Sequence, residues 1–381
     1  MKAWPLLLVL VGLVGSTVSR AADVLPNGQV ETAADCDPVG DLHFVCGLRE
    51  PEDLAPLPGT RWIITTGMAT DGTGGLFLLD TRAKRAQRLQ LGRDIAFEPD
   101  RTTYPNCPSP PDPASYSTQG LNLRADGPGH YRLNVVSHGA RESIEAYEVD
   151  ATGDTPTVTW RGCVPLPVSG GNSVTSASDG TLYATIFVRP GTSFQQMLDG
   201  QPTGDLYVWH GGSTSFERVP GLQLSGANGI EISADDKTLY LALTGTRELL
   251  EVPVADPSHV VHRADFSTLG FAPDNVHWMH DGQLISTGMR EPEPACGGLP
   301  QRESNKLSQY RGCHRAPVVV VIDPHTLRTR VVYASKTANA HYTGTSTALL
   351  VNGVLWLGSF ATDRVAYVPL TRRQLAAFRG R

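Results

Sequence analysis

Asp236-Lys-Thr-Leu-Tyr-Leu-Ala-Leu243, answered after a four-residue gap by Glu248-Leu-Leu-Glu-Val252, reads as two consecutive β-strands. Each run is short, rich in Leu, Tyr, Thr and Val, and bounded by turn residues, which suits strands and not a helix. The paired format recurs along the chain. Arg61-Trp-Ile-Ile-Thr-Thr-Gly67 precedes Gly75-Leu-Phe-Leu-Leu-Asp80, and Tyr131-Arg-Leu-Asn-Val-Val-Ser-His138 precedes Ile144-Glu-Ala-Tyr-Glu-Val149. Thr181-Leu-Tyr-Ala-Thr-Ile-Phe187 is followed by Asp205-Leu-Tyr-Val-Trp209, and Val354-Leu-Trp-Leu-Gly-Ser359 by Arg364-Val-Ala-Tyr-Val368. Units of this kind begin near Gly59, Gly129, Gly180, Asp236, Gly282 and Gly353. Six units of about 60 residues, each with about four strands, predict an all-β chain folded as a six-bladed β-propeller. An irregular sandwich or solenoid is the alternative, and the count of six and the even spacing weigh against it.

Composition agrees. The 381 residues include 39 Gly and 28 Pro, a share that implies many turns and few long helices. Lys and Arg number 32 against 38 Asp and Glu, a net charge of −6. That balance argues against a nucleic-acid partner. The first 21 residues read separately: Lys2, an apolar run from Trp4 to Val14, then Ser19-Arg20-Ala21 with small residues at the −3 and −1 positions. This is the pattern of a signal peptide cut near Ala21 and predicts a secreted or periplasmic protein. The run is too short to span a bilayer, and no other segment is long and apolar enough. Residues 22–381 are expected to form a single propeller domain.

Export gives the six cysteines a meaning, because an even number in an oxidising compartment predicts disulfides. Local pairing gives Cys36–Cys46 and Cys296–Cys313, leaving Cys107 with Cys163. Two stretches break the strand rhythm, 97–117 with six prolines and 290–317, and both read as inserted loops. The segment up to Cys46 is expected either to complete a blade with the C-terminal strands or to cover one face.

The innermost strand of each blade borders a central channel. Glu52, Asn172, Asn228 and the pair Asp274 and Asn275 fall at such positions, separated by 120, 56 and 46 residues. These intervals approximate two blades, one blade and one blade, so four blades would send carboxylate or amide oxygens to one axial point. Each motif alone is an ordinary turn signal. Together, two carboxylates and several amides form a hard-oxygen set that suits Ca2+, whereas a transition metal would favour His or Cys.

Pro51-Glu-Asp-Leu54, Val135-Val-Ser-His138, Asn172, Gly226-Ala-Asn-Gly-Ile-Glu-Ile-Ser-Ala-Asp-Asp-Lys-Thr-Leu-Tyr240 and Asp274-Asn-Val276 resemble the paraoxonase/arylesterase group of the gluconolactonase and strictosidine-synthase-like clan. Gly344-Thr-Ser-Thr-Ala348 and Gly353-Val-Leu-Trp-Leu-Gly-Ser-Phe360 are similar too. The resemblance covers most of the chain beyond the leader. It implies a six-bladed propeller with a catalytic Ca2+ held by Glu52, Asn172, Asn228, Asp274 and Asn275, hydrolysing lactones and aryl esters. It also implies a functional His138, the counterpart of one member of a histidine pair. Two departures stand out. Gln119 replaces the other histidine, and Ser173 replaces an Asp that serves a second calcium. Asp53 is left to make a weaker second site or to accept hydrogen bonds.

The expected chemistry is calcium-assisted hydrolysis, with water attacking a polarised carbonyl, Asp274 as general base and His138 as an orienting or relaying group. His277 and His341 also lie near channel segments. No Gly-x-Ser-x-Gly nucleophile motif occurs. Two alternatives stay open: a non-catalytic exported propeller that binds a ligand or protein, and a clan member catalysing a lyase or condensation step. The expected partner is a small molecule, apolar or aromatic given Phe187, Phe194 and Phe360 in candidate cleft loops. The oligomeric state is open.

Overall fold

The computed structural model describes residues 36–296, 313–336, 338–339 and 341–379. The leader through Ala21 lies outside them. Strand β1 (His43–Cys46) comes first in the chain but belongs to the last sheet. Blade 1 is β2 (Leu54–Pro56), β3 (Trp62–Thr65), β4 (Phe77–Asp80) and β5 (Arg85–Arg88). A short strand, β6 (Ile95–Phe97), then joins blade 2, made of β7 (Ser117–Ala125), β8 (His130–His138), β9 (Ser143–Asp150) and β10 (Thr157–Pro165). It pairs parallel to β10, whereas the other strand pairs are antiparallel. Blade 3 is β11 (Gly171–Ser176), β12 (Leu182–Ile186), β13 (Asp205–Trp209) and β14 (Glu217–Arg218). Blade 4 is β15 (Ala227–Ile232), β16 (Thr238–Leu243), β17 (Glu248–Pro253) and β18 (His262–Asp265). Blade 5 is β19 (Phe271–Trp278), β20 (Leu284–Arg290), β21 (Pro317–Ile322) and β22 (Thr329–Ala334). Blade 6 is β23 (Thr345–Val351), β24 (Val354–Ser359) and β25 (Arg364–Pro369), completed by β1.

The apolar runs are nearly continuous because each blade stands between two others. In β16, Leu239, Leu241 and Leu243 pack into the core shared with blade 3, while Tyr240 and Ala242 pack into the core shared with blade 5. In β21, Val319 and Val321 face blade 6, and Val318, Val320 and Ile322 face blade 4. The two-residue period of a strand thus feeds two cores at once. The inner strands β2, β7, β11, β15, β19 and β23 neighbour one another in that order and close back on β2.

The six unit starts read from the sequence fall one strand late. Gly59, Gly129, Gly180, Asp236, Gly282 and Gly353 are the hairpin turns between first and second strands, each with positive φ from 58° to 90°. Each unit begins with the strand before its turn. That first strand faces the polar channel, so its apolar signal is the weakest.

The N-terminal segment completes a blade: β1 pairs antiparallel with β25, His43 opposite Tyr367 and Cys46 opposite Arg364. Closing the ring with strands from both chain ends leaves no open edge between first and last blades. The Cys36–Cys46 disulfide pins this arm. Cys107–Cys163 and Cys296–Cys313 also form as the spacing anticipates. Between Phe97 and Ser117 the chain leans on blade 3, where Tyr104 stacks on Trp209 and Asn106 Nδ2 donates to Thr214 O. Helix α1 (Phe194–Leu198) lies between β12 and β13, with Phe194 beside Phe187, and α2 (Arg372–Phe378) packs Phe378 under blade 6. Among the described residues, no helix is long and apolar enough to cross a membrane.

Candidate metal centre in the channel

One local irregularity places the predicted donors. In β7, β11, β15 and β19 the register with the second strand breaks near the start of the inner strand, and two residues are left out of the pairing. They are Gln119 and Gly120, Asn172 and Ser173, Asn228 and Gly229, and Asp274 and Asn275. A bulge at this point redirects side chains while the rest of the strand keeps its ladder. Blade 1 contributes Glu52 and Asp53 directly before β2. Gly229 permits the close packing: a Cβ there would lie 2.6 Å from the Asn275 Cα.

Hydroxyl groups then clamp the backbone at these positions. Thr185 Oγ1 donates to Asn228 O at 2.6 Å, Thr244 Oγ1 to Pro273 O at 2.8 Å, Ser286 Oγ to Asn275 O at 2.9 Å and Ser346 Oγ to Glu52 O at 2.6 Å. The amide nitrogens are also tied. Asn275 Nδ2 donates to Glu52 Oε1 at 2.8 Å, and Asn228 Nδ2 to Thr244 Oγ1 at 3.0 Å. The Asn228 side chain also hydrogen-bonds Asp274. What remains is a set of oxygens. Glu52 Oε2 and the Oδ1 atoms of Asn172, Asn228 and Asn275 are buried and have no hydrogen-bond partner. Each such acceptor costs about 1–3 kcal/mol if left unmet. They come from four different blades at the same level of the ring.

Electrostatics at this level favour a positive charge. Burial, then the charges of Asp53 and Asp274, push the Glu52 carboxyl well above the usual carboxylate range. Burial and Asp53 do the same to Asp274, against the hydrogen bond from Asn228. A cation bound between them would reverse the trend, since an adjacent opposite charge favours the ionised form. Among the described residues, no group of three or more His, Cys, Asp or Glu side chains is arranged to hold a metal. An ion at this point would therefore draw on amide oxygens as well as carboxylates, a hard-donor set.

Asp53 belongs to a different network. It is fully buried and accepts hydrogen bonds from Leu54 N at 2.8 Å, Leu121 N at 2.9 Å and His277 Nε2 at 2.7 Å. His277 Nδ1 lies 3.2 Å from Glu231 Oε1. Burial opposes protonation of His277, but the carboxylates of Asp53 and Glu231 outweigh it and push the imidazole up to about 10. A buried imidazolium thus links blades 1, 4 and 5. Of the two roles open to Asp53, the structure shows the acceptor of hydrogen bonds.

His138 ends β8 at the edge of the ring. Its Nε2 lies 2.8 Å from Gln119 Oε1 and its Nδ1 2.9 Å from Glu142 Oε1. His341 stands elsewhere, its backbone N donating to Asn339 Oδ1 at 2.8 Å. Sequence reasoning missed Glu142, Glu231 and the clamping hydroxyls. Glu231 left a trace, a carboxylate between two isoleucines of an otherwise apolar strand; Thr185 and Ser286 left none.

No family model matches the chain, and no curated protein matches it. Solved structures do share the fold. A gluconolactonase from Xanthomonas campestris superposes with a TM-score of 0.51 at 16% identity, over 90% of this chain and 94% of that one. A luciferin-regenerating enzyme gives 0.50 at 12% identity, over 85% of this chain and 92% of that one. The likeness is to propellers of the gluconolactonase type and is one of fold. It does not single out the paraoxonase and arylesterase group.

Proposed function

We propose that the protein is an exported, calcium-dependent hydrolase of lactones or aryl esters. The observation that carries this is the set of four buried, unpartnered oxygens presented by four blades around two carboxylates. Glu52, Asn172, Asn228, Asp274 and Asn275 would hold the ion. A scaffold used only for binding gains nothing from leaving such acceptors unmet. The three disulfides and the apolar leader support export.

Bound there, Ca2+ supplies Lewis-acid stabilisation of charge developing on a substrate carbonyl oxygen. The remaining work falls to the chain's own groups. Asp274 is the carboxylate of the set that keeps some exposure, whereas Glu52 is sealed at 1%. Asp274 therefore serves as the general base, taking the proton from the attacking water at its carboxylate, with Asn228 fixing its orientation. Glu52 is oriented by Asn275 and shapes the floor of the site. His138, held by Glu142, acts at the rim as an orienting group. The gluconolactonase of similar fold supports the lactone class; aryl esters rest on the sequence resemblance alone.

The test is metal analysis of the purified protein, with melting temperature before and after a chelator, followed by assays on γ- and δ-lactones and phenyl acetate. One Ca2+ per chain, lost in Asp274→Ala together with lactone or ester turnover, is the expected result. No bound ion and no effect of the chelator would overturn the proposal.

A further inference from the structure

Blade 2 contributes to the ring a residue that the ion-binding set does not use. Gln119 holds in β7 the register position that Asn172, Asn228 and Asp274 hold in β11, β15 and β19. Each is the first residue after the last regular pair before the bulge, following Thr118, Gly171, Ala227 and Pro273. The next residue, Gly120, is packed so closely that a Cβ would lie 2.4 Å from Asn172 O and 2.6 Å from the Ser173 Cα. Gln119 therefore stands beside the blade 3 donor. Unlike Asn172 and Asn228, it keeps partial exposure.

Its carboxamide is fixed from one end only. Gln119 Oε1 accepts from His138 Nε2 at 2.8 Å, and His138 Nδ1 donates to Glu142 Oε1 at 2.9 Å. Both ring nitrogens thus face acceptor oxygens, so the ring has no free nitrogen with which to take a proton from water. The carboxamide itself presents its other atom: Gln119 Nε2 has no hydrogen-bond partner among the described residues. An amide left to itself offers either oxygen or nitrogen, and the partner on one end selects which atom the other end shows. Here His138 takes the oxygen and leaves the N–H donors.

We propose that Gln119 is the blade 2 residue that touches the substrate. Its Nε2 donates a hydrogen bond to an uncharged oxygen, the carbonyl or ring oxygen of the lactone or ester, while His138 and Glu142 are positioning residues that set the direction of the carboxamide. This rests on the hydrolase proposal above and deepens it, because it assigns to a neutral donor the place where the resembling group carries a histidine.

The experiment compares wild type, Gln119→Leu, His138→Asn and the double variant on γ- and δ-lactones and phenyl acetate, with Ca2+ affinity measured alongside. Gln119→Met, unbranched and of similar length, guards against misfolding of the Leu variant. Loss of one well-placed donor is expected to lower kcat/KM by about 10- to 100-fold in both Gln119 variants. His138→Asn is expected to lower it by about tenfold, and the double variant to match Gln119→Leu, because His138 acts only through the carboxamide. Ca2+ affinity stays unchanged throughout. Wild-type turnover retained in the Gln119 variants would overturn this proposal alone, as would losses that multiply in the double variant or a weakened Ca2+ affinity. A wild type that binds no Ca2+ and hydrolyses none of the panel would overturn the hydrolase proposal and this one with it.

Discussion

Replacing Glu52 with Gln should move stability in opposite directions with and without calcium. The side chain is 1% exposed, Oε1 accepts from Asn275 Nδ2, Oε2 has no partner, and Asp53 and Asp274 lie close enough to oppose its ionisation. Gln keeps the shape and the acceptor for Asn275 but removes the charge. An uncompensated buried charge costs about 3–5 kcal/mol, and the wild type escapes part of this by holding a proton. The ion-free variant should therefore gain about 2–3 kcal/mol. At about 2 °C per kcal/mol for a domain of this size, that is a rise in Tm of about 5 °C in EGTA at pH 7. With calcium the order reverses. Losing one of two carboxylate donors should weaken the ion by at least about 100-fold, so a calcium concentration that raises the wild-type Tm leaves the variant almost unmoved. Differential scanning fluorimetry of both proteins, in EGTA and in calcium, measures all four values. A variant that melts below wild type in EGTA, or that gains as much from calcium, would refute the placing of Glu52 among the ion's donors.

Three further outcomes follow from the same geometry. In EGTA, the wild-type Tm should fall as pH rises above about 4, because Glu52 and Asp274 hold protons in the fold that they release on unfolding; saturating calcium should flatten the trend, and a scan from pH 4.5 to 8 compares the two. His277 has the same sign at higher pH. Its pKa is raised to about 10, so its contribution is complete below about 6.5 and lost as pH rises through 10; the stability gap between wild type and His277→Asn should therefore shrink between pH 7 and 10.5 in thermal melts. Leu241→Ala, fully buried in the core between blades 3 and 4, should cost about 2–5 kcal/mol in urea unfolding and leave calcium affinity intact; a change in affinity would mean that the blade core and the channel are coupled.

The blade count was legible because Leu, Val and Tyr runs are dense wherever a strand is buried on both faces, as in β16 and β21. The blade boundaries were not. β7, β11, β15, β19 and β23 line the channel, and sequences such as Gly171-Asn-Ser-Val-Thr-Ser176 are fully buried yet carry four polar or small residues that look like loop. Their hydrogen bonds go to neighbouring inner strands and to hydroxyls such as Thr185, which no local pattern reveals. The parallel strand β6 was missed for a related reason: three residues, two of them exposed, carry no periodic signal.

The same contrast runs through the site. Donor residues could be read from spacing because propeller symmetry repeats a backbone position once per blade, so Asn172, Asn228 and Asp274 announce one another at a distance. Charge-compensating partners obey no such rule. Glu231 meets His277 from the adjacent blade and Asp53 meets it from across the channel, at sequence separations of 46 and 224. Glu142 sits four residues from His138, but its meaning depends on a turn that brings it back beside the ring. Fold symmetry therefore exposes the residues that repeat and hides those that make each repeat different. Gln119 belongs to both classes. It stands at a repeated position, which placed it beside the donors, and it carries a side chain that no other blade has there, which gives blade 2 a neutral hydrogen-bond donor at the channel mouth.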